Sequence, residues 1–216
     1  MESSLFKSFN KIVARNKYGR VNLYRQGNKF YIQRHEGNVP PQEINYRAYI
    51  QALAGQGVKK IISVNSVGSL KRSVKPGSLL VPHDFISLWR IPTFFDKEIK
   101  HFSAGIDEDL RNLLYKAAKR ADLPIIGSGI YFQTTGPRFE TPSEIKMLAK
   151  FADVVGMTLG SEATLAAEKG IALASLCAVD NYANGLAGKV DYDKIKSMAA
   201  RSRDRIEKIL ASALNI

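Results

Sequence analysis

The sequence has a single cysteine, Cys177, among its 216 residues. An intrachain disulfide is therefore excluded, which fits a reducing, cytoplasmic setting. Cys177 lies inside the apolar run IALASLCAV and reads as a small buried residue rather than a nucleophile. Histidine is nearly as scarce. His35, His83 and His101 are far apart in the chain and lack metal-ligand spacing, so no metal is expected. No apolar run approaches the ~18 residues of a membrane span, so no membrane partner is expected. MESSLFKSFNKIVARNK has no apolar core of a secretory signal and reads as a frayed or short helical start. Acidic residues are outnumbered, 20 against 32 basic ones, for a net charge of +12. The basic residues are spread along the chain without interleaved aromatics. A solvated basic surface that favours anions is expected, and no nucleic-acid partner.

What is present is ordinary globular composition, 45% hydrophobic and 24% charged. A chain of this length buries roughly 70% of the surface its unfolded form exposes. VNLYR (21–25) and KFYIQR (29–34), separated by Gln26-Gly27-Asn28, predict a hairpin. Residues 42–54 predict a helix ended by Gly55 and Gly57. The apolar runs 59–66, 78–82, 124–135, 152–157 and 171–179 predict strands. Residues 107–121, 142–150 and 161–170 predict helices, and a long helix follows Asp191. Thr141, Pro142 and Glu144 form a capping-box signature. Strands alternating with helices predict an α/β fold, with a central mixed sheet flanked by helices, in a single domain over 1–216.

In such sheets ligands bind beyond the carboxyl ends of strands. Four strand ends carry polar or glycine-rich residues: Arg34-His35-Glu36-Gly37, Asn65-Ser66-Val67-Gly68-Ser69, Thr134 to Glu140, and Asp180-Asn181-Tyr182-Ala183. An extended backbone would turn Asp180 and Asn181 to opposite sides, leaving Asp180 as a second-choice acid.

GPRFETPSEIKML, ADVVGMT, SEATLAAEKGI and ASLCAVDNYANG resemble the methylthioadenosine/methylthioinosine phosphorylase branch of the trimeric purine nucleoside phosphorylases. RHEGNVPPQEINYRA resembles that branch's RHG…INYRA segment, and NSVGSL its AVGSL loop. The resemblance runs from about Tyr18 to the C-terminus, with the motifs in the family's order. It implies a purine nucleoside and phosphate as substrates, no cofactor, and assembly as a homotrimer or hexamer.

On the matching positions, Glu140 and Asn181 serve the leaving base. A carboxylate only accepts, so Glu140 suits a purine N1–H, whereas an Asn amide both donates and accepts. Adenine-specific relatives carry Asp at the Asn181 position and a second Asp where Ala183 stands. Both departures favour a 6-oxopurine. Phe139 would pack on the base, and Ser66, Val67, Gly68, Asp180, Tyr182 and Ala183 would line its pocket. Met157 would lie beneath the ribose, with Glu162 at the ribose hydroxyls or capping its helix. His101 matches a residue lent to a neighbouring subunit's sugar pocket. The resemblance implies Arg34, His35, Asn65 and Thr158 for phosphate; Arg offers a bidentate fork to such an anion.

The pattern breaks at the N-terminus. Relatives begin with a strand ending in a GGSG or GGTG phosphate loop. Here that loop is expected to be missing or degenerate within 1–17, with Ser3 at its hydroxyl position. Besides phosphorolysis of inosine, guanosine or 5′-methylthioinosine, three alternatives stay open: a phosphate-independent nucleosidase, a non-catalytic purine binder, and a 5′-methylthioadenosine phosphorylase.

Overall fold

The computed structural model describes residues 4–89 and 91–215. Two sheets organise the chain. β1 (Asn10–Asn16), β2 (Gly19–Gln26) and β3 (Lys29–Tyr31) form a small antiparallel meander. The expected hairpin is its β2–β3 half. The basic start read as helical instead holds one 3-10 turn, Ser4–Phe6, and then β1. Pairing with β2 decides the matter. Ile12, Ala14 and Asn16 alternate with exposed residues, a period of two that suits a half-covered strand.

The larger sheet has six strands in the order β5-β9-β4-β8-β7-β6. They are β4 (Lys60–Ser69), β5 (Leu79–Leu80), β6 (Asp84–Ser87), β7 (Ile130–Gln133), β8 (Val154–Gly156) and β9 (Ala172–Tyr182). The β4–β9, β6–β7 and β7–β8 pairs are parallel, and β4–β8 and β5–β9 antiparallel, so the sheet is mixed as expected. The strand expected over 124–135 is regular only at Ile130–Gln133. Before it, Ile126 makes a single bridge to Leu80.

Among the described residues, five α-helices pack with the sheets: α1 (Tyr46–Gly55), α2 (Glu108–Arg120), α3 (Pro142–Leu148), α4 (Leu159–Glu168) and α5 (Tyr192–Leu214). β9 shows why both faces are needed. Its Leu173, Cys177 and Val179 pack with Leu159, Ala163 and Ala166 of α4. Its Ala174, Leu176 and Ala178 pack with Leu114 and Ala117 of α2 and Ile209 of α5. A strand apolar on both sides must be buried on both, and each leucine-sized side chain so buried contributes roughly 1.5–3 kcal/mol. Burial pushes the Cys177 thiol up to about 12, so it stays neutral, as a packed core residue should. α1 lies between the small sheet and α4, joined by Leu23, Ile50, Leu53 and Leu165.

One irregularity matters for the site. Val67 pairs with Val179, but Gly68 pairs with Asn181, leaving Asp180 as the extra residue of a bulge at the carboxyl end of β9. Bulges re-aim side chains, and they occur often beside functional sites.

Candidate active site

The carboxyl ends of β4 and β9, the loop before α3 and the start of α4 converge. The loop before α3 is fixed by local chemistry. Thr141 and Glu144 close the expected capping box with Pro142 at the first helical position. Arg138 grips both Glu144 oxygens at 2.8 Å. That bidentate bond, with the Thr141 backbone N–H, holds the Glu144 carboxyl down at about 2. Between these anchors sit Phe139 and Glu140. Phe139 is 40% exposed, an aromatic face left uncovered, whereas Glu140 is 7% exposed.

The loop after β9 is tied to this segment. Asn184 donates from Nδ2 to the Glu140 carbonyl at 2.9 Å. Gly185, at φ +85°, lies so close to Pro142 that a Cβ would stand 2.7 Å from the Pro142 Cβ. Substitution Gly185→Ala combines a left-handed backbone with overpacking. We expect it to cost about 2–4 kcal/mol, read as a lowered Tm. It should also raise KM for the nucleoside, because the Asn184 tie to Glu140 loosens.

These ties bring Asn181 and Glu140 to one region. Asn181 donates one Nδ2 hydrogen to the Tyr182 carbonyl at 2.7 Å and makes no other side-chain hydrogen bond among the described residues. Its Nδ2 also lies 3.4 Å from where a Cβ on Gly68 would be, so the absence of a side chain there keeps room for the amide. Ala183 is buried beside Gly68. The Glu140 carboxylate has no hydrogen-bond or ion-pair partner among the described residues. Its oxygens are not among the buried, unpartnered polar atoms, so the carboxylate keeps contact with solvent and is open to a ligand donor.

The other half of the region is a buried polar network. Arg34 follows β3 in a turn, not in the strand expected to reach it. Its Nη1 donates to Glu162 Oε1 at 2.5 Å, to Ser63 Oγ at 3.1 Å and to Asn65 Oδ1 at 3.2 Å, and its Nη2 to the Val64 carbonyl. Glu162, 4% exposed, also accepts from the Tyr49 and Ser63 hydroxyls. It does not cap its helix: Thr158 occupies the N-cap position and Glu162 turns inward to Arg34. Asn65 Oδ1 accepts from Thr158 Oγ1, and its Nδ2 donates to Ser63 and Ser175. Burial works against the Arg34 charge, but the adjacent Glu162 carboxylate more than offsets this and holds the guanidinium firmly protonated. Burial, then the same carboxylate, pushes the Tyr49 hydroxyl well up, so it remains a donor.

Met157 places its sulfur where any side chain on Gly136 would collide, and its carbonyl accepts from the Tyr46 hydroxyl. His35 is exposed, with Nδ1 2.7 Å from the Val39 carbonyl, which can only accept. Nδ1 therefore carries the proton. Val67 is buried in the core and turned away from solvent, whereas Ser66 is exposed. Tyr182 reaches the Arg72 carbonyl. His101 is exposed in the irregular segment before α2 and bonds to nothing among the described residues. Ser3 lies outside the described residues. The sequence reading passed over Tyr49, Ser63, Ser175 and Asn184. Ser63 and Asn65 did carry a signal, a polar pair two apart in an apolar run and so on one face of β4.

Asp180 is 3% exposed; its Oδ2 accepts from the Ser66 hydroxyl and its Oδ1 has no partner among the described residues. Burial pushes its carboxyl up to about 6 from an ordinary 3.8, with the Ser66 bond opposing. The folded state thus binds more protons than the unfolded one between those values, and its stability falls as pH rises through that window. Asp180→Asn cannot ionise. Its stability relative to the parent should rise by about 2–3 kcal/mol from pH 4 to pH 7, measured by denaturant titration at both pH values.

The phosphorylase superfamily matches residues 7–215. The chain belongs to that superfamily. It is 42% identical over 187 residues to a "Probable 6-oxopurine nucleoside phosphorylase" of Archaeoglobus fulgidus, covering 85% of this chain and 77% of the relative. It is 35% identical to a "Probable S-methyl-5′-thioinosine phosphorylase" of Methanocaldococcus jannaschii, covering 99% and 88%. Among solved structures, methylthioadenosine phosphorylase from Schistosoma mansoni in complex with adenine superposes with a TM-score of 0.90 at 25% identity, covering 99% of this chain and 86% of the other. Phosphorolysis of a purine nucleoside is the reaction this membership supports.

Proposed function

We propose that the chain catalyses phosphorolysis of 6-oxopurine nucleosides, inosine, guanosine or 5′-methylthioinosine, with inorganic phosphate as co-substrate and no cofactor. The observation that carries this reading is the Glu140 carboxylate, without a protein hydrogen bond among the described residues, on a loop tied to the one that carries the half-satisfied Asn181 amide. An acceptor-only group opposite a donor–acceptor pair complements a purine with N1–H, O6 and N7 on one edge. Phosphate oxygen attacks the anomeric carbon, the bond to N9 breaks, and its electron pair passes onto the purine. Asn181 Nδ2 keeps a hydrogen for O6, where negative charge grows, and Oδ1 accepts from a protonated N7. Preorganised bonds to developing charge are commonly the largest catalytic contribution. Arg34, His35, Asn65 and Thr158 stand on the phosphate side, and Met157 and Phe139 would hold sugar and base.

Exposed Leu88, Ile99 and Phe102 support a homo-oligomer, trimer or hexamer, in which His101 reaches a neighbouring site. A single buried thiol suits a cytoplasmic enzyme. Incubating the protein with inosine and phosphate, then assaying ribose 1-phosphate, tests the reaction. Formation of hypoxanthine with equimolar ribose 1-phosphate is expected; free ribose would identify water as the nucleophile instead.

A further inference from the structure

Arg34 has five N–H donors, and the protein accounts for only part of them. Nη1 is spent on Glu162, Ser63 and Asn65, and Nη2 makes one bond, to the Val64 carbonyl. The Nε–H and the second Nη2–H have no acceptor among the described residues. Two free N–H groups on one planar guanidinium can meet oxygens of a tetrahedral oxyanion. Among the described residues, Glu162 is the one charged group that holds Arg34. It is itself fixed from two further sides, by Tyr49 of α1 at 2.6 Å and Ser63 of β4.

The same carboxylate governs the neighbouring groups indirectly. Ser63 receives a hydrogen from Asn65 Nδ2 while giving its own to Glu162, and Asn65 Oδ1 takes the Thr158 hydroxyl hydrogen. Arg34, Asn65 and Thr158 thus form one hydrogen-bonded unit whose single buried anion is Glu162. We propose that Glu162 is a positioning residue for phosphate: it holds the Arg34 guanidinium so that the N–H groups the protein leaves free face the co-substrate. It touches neither substrate.

This rests on the phosphorylase reading, and the experiment separates the two. The parent enzyme is first assayed with inosine over a phosphate titration; turnover saturating in phosphate is expected, and turnover indifferent to phosphate would overturn the reading itself. Glu162→Gln and Tyr49→Phe are then compared with the parent. Tyr49→Phe removes only one hydroxyl and keeps the test open if the buried Gln variant folds poorly. Misplaced reacting groups cost up to about 10²-fold, so KM for phosphate should rise roughly 10-fold or more in Glu162→Gln, and less in Tyr49→Phe. KM for inosine should stay within about 2-fold, since Glu140 and Asn181 lie outside the network. A purely structural role would lower Tm and leave the phosphate and inosine KM values in their parental ratio. A purely electrostatic role would tighten phosphate, because removing a negative charge from Arg34 leaves a stronger anion site. Either of those outcomes overturns the proposal.

Discussion

Glu140→Ala should lose about 10²–10³ in kcat/KM for inosine and guanosine while melting near the parent temperature. The estimate follows from what the carboxylate does in each state. Unliganded, it has no hydrogen-bond partner among the described residues, so it contributes little to stability and removing it leaves no group unpaired. With a 6-oxopurine bound it accepts N1–H, a charge-assisted bond worth more than a neutral one. The bond matters most as the base departs and needs its charge held in place. About 3–4 kcal/mol at the transition state corresponds to that rate loss. Glu140→Gln should fall between, since the amide oxygen still accepts but carries no charge. The helix that follows should survive both changes, because its capping box uses Thr141 and Glu144. A loss below about 3-fold in Glu140→Ala would place the base elsewhere.

The second large effect is a change of preference. Asn181→Asp replaces a donor–acceptor by an acceptor. Opposite a 6-oxopurine it sets a carboxylate against O6, two acceptors with nothing between them. Opposite adenine it accepts from the 6-amino group. A site built to bond one pattern rejects the other through the group it leaves unpaired. The ratio of kcat/KM for inosine over adenosine should therefore fall by about 10²–10³, mostly through loss of inosine turnover. Room for the new side chain exists, because Gly68 presents no Cβ and Ala183 remains small. An unchanged ratio would mean that Asn181 reads N7 alone.

How legible all this was in the sequence depended on the range of the interaction. β4, β9 and the start of α3 could be read because each is decided locally, by an apolar run or by residues three apart. β1 was missed because NKIVARN is mostly polar and becomes a strand only through β2. The run 124–135 was read too long, since Pro124, Gly127 and Gly129 interrupt regular pairing before Ile130. In the site, Glu140 and Asn181 stood out as polar residues at strand ends. Glu162 was expected at the ribose hydroxyls or in a cap; its pairing with Arg34 was not legible, because Arg34 is 128 residues away and no local pattern joins them. Asp180 was expected from simple alternation to turn away from Asn181. The bulge at Val67–Gly68 invalidates that alternation and gives Asp180 a partner, Ser66, that no spacing rule pointed to.

The base preference is the central claim, and one comparison tests it most directly. 5′-Methylthioinosine and 5′-methylthioadenosine differ only at C6 and N1, a 6-oxo group with N1–H against a 6-amino group with a bare N1, and their kcat/KM values are measured on the same preparation at saturating phosphate. Glu140 and Asn181 together require the inosine compound to be favoured by about 10² or more. Equal values, or a preference for the adenosine compound, would contradict the assignment of those two side chains to N1–H, O6 and N7.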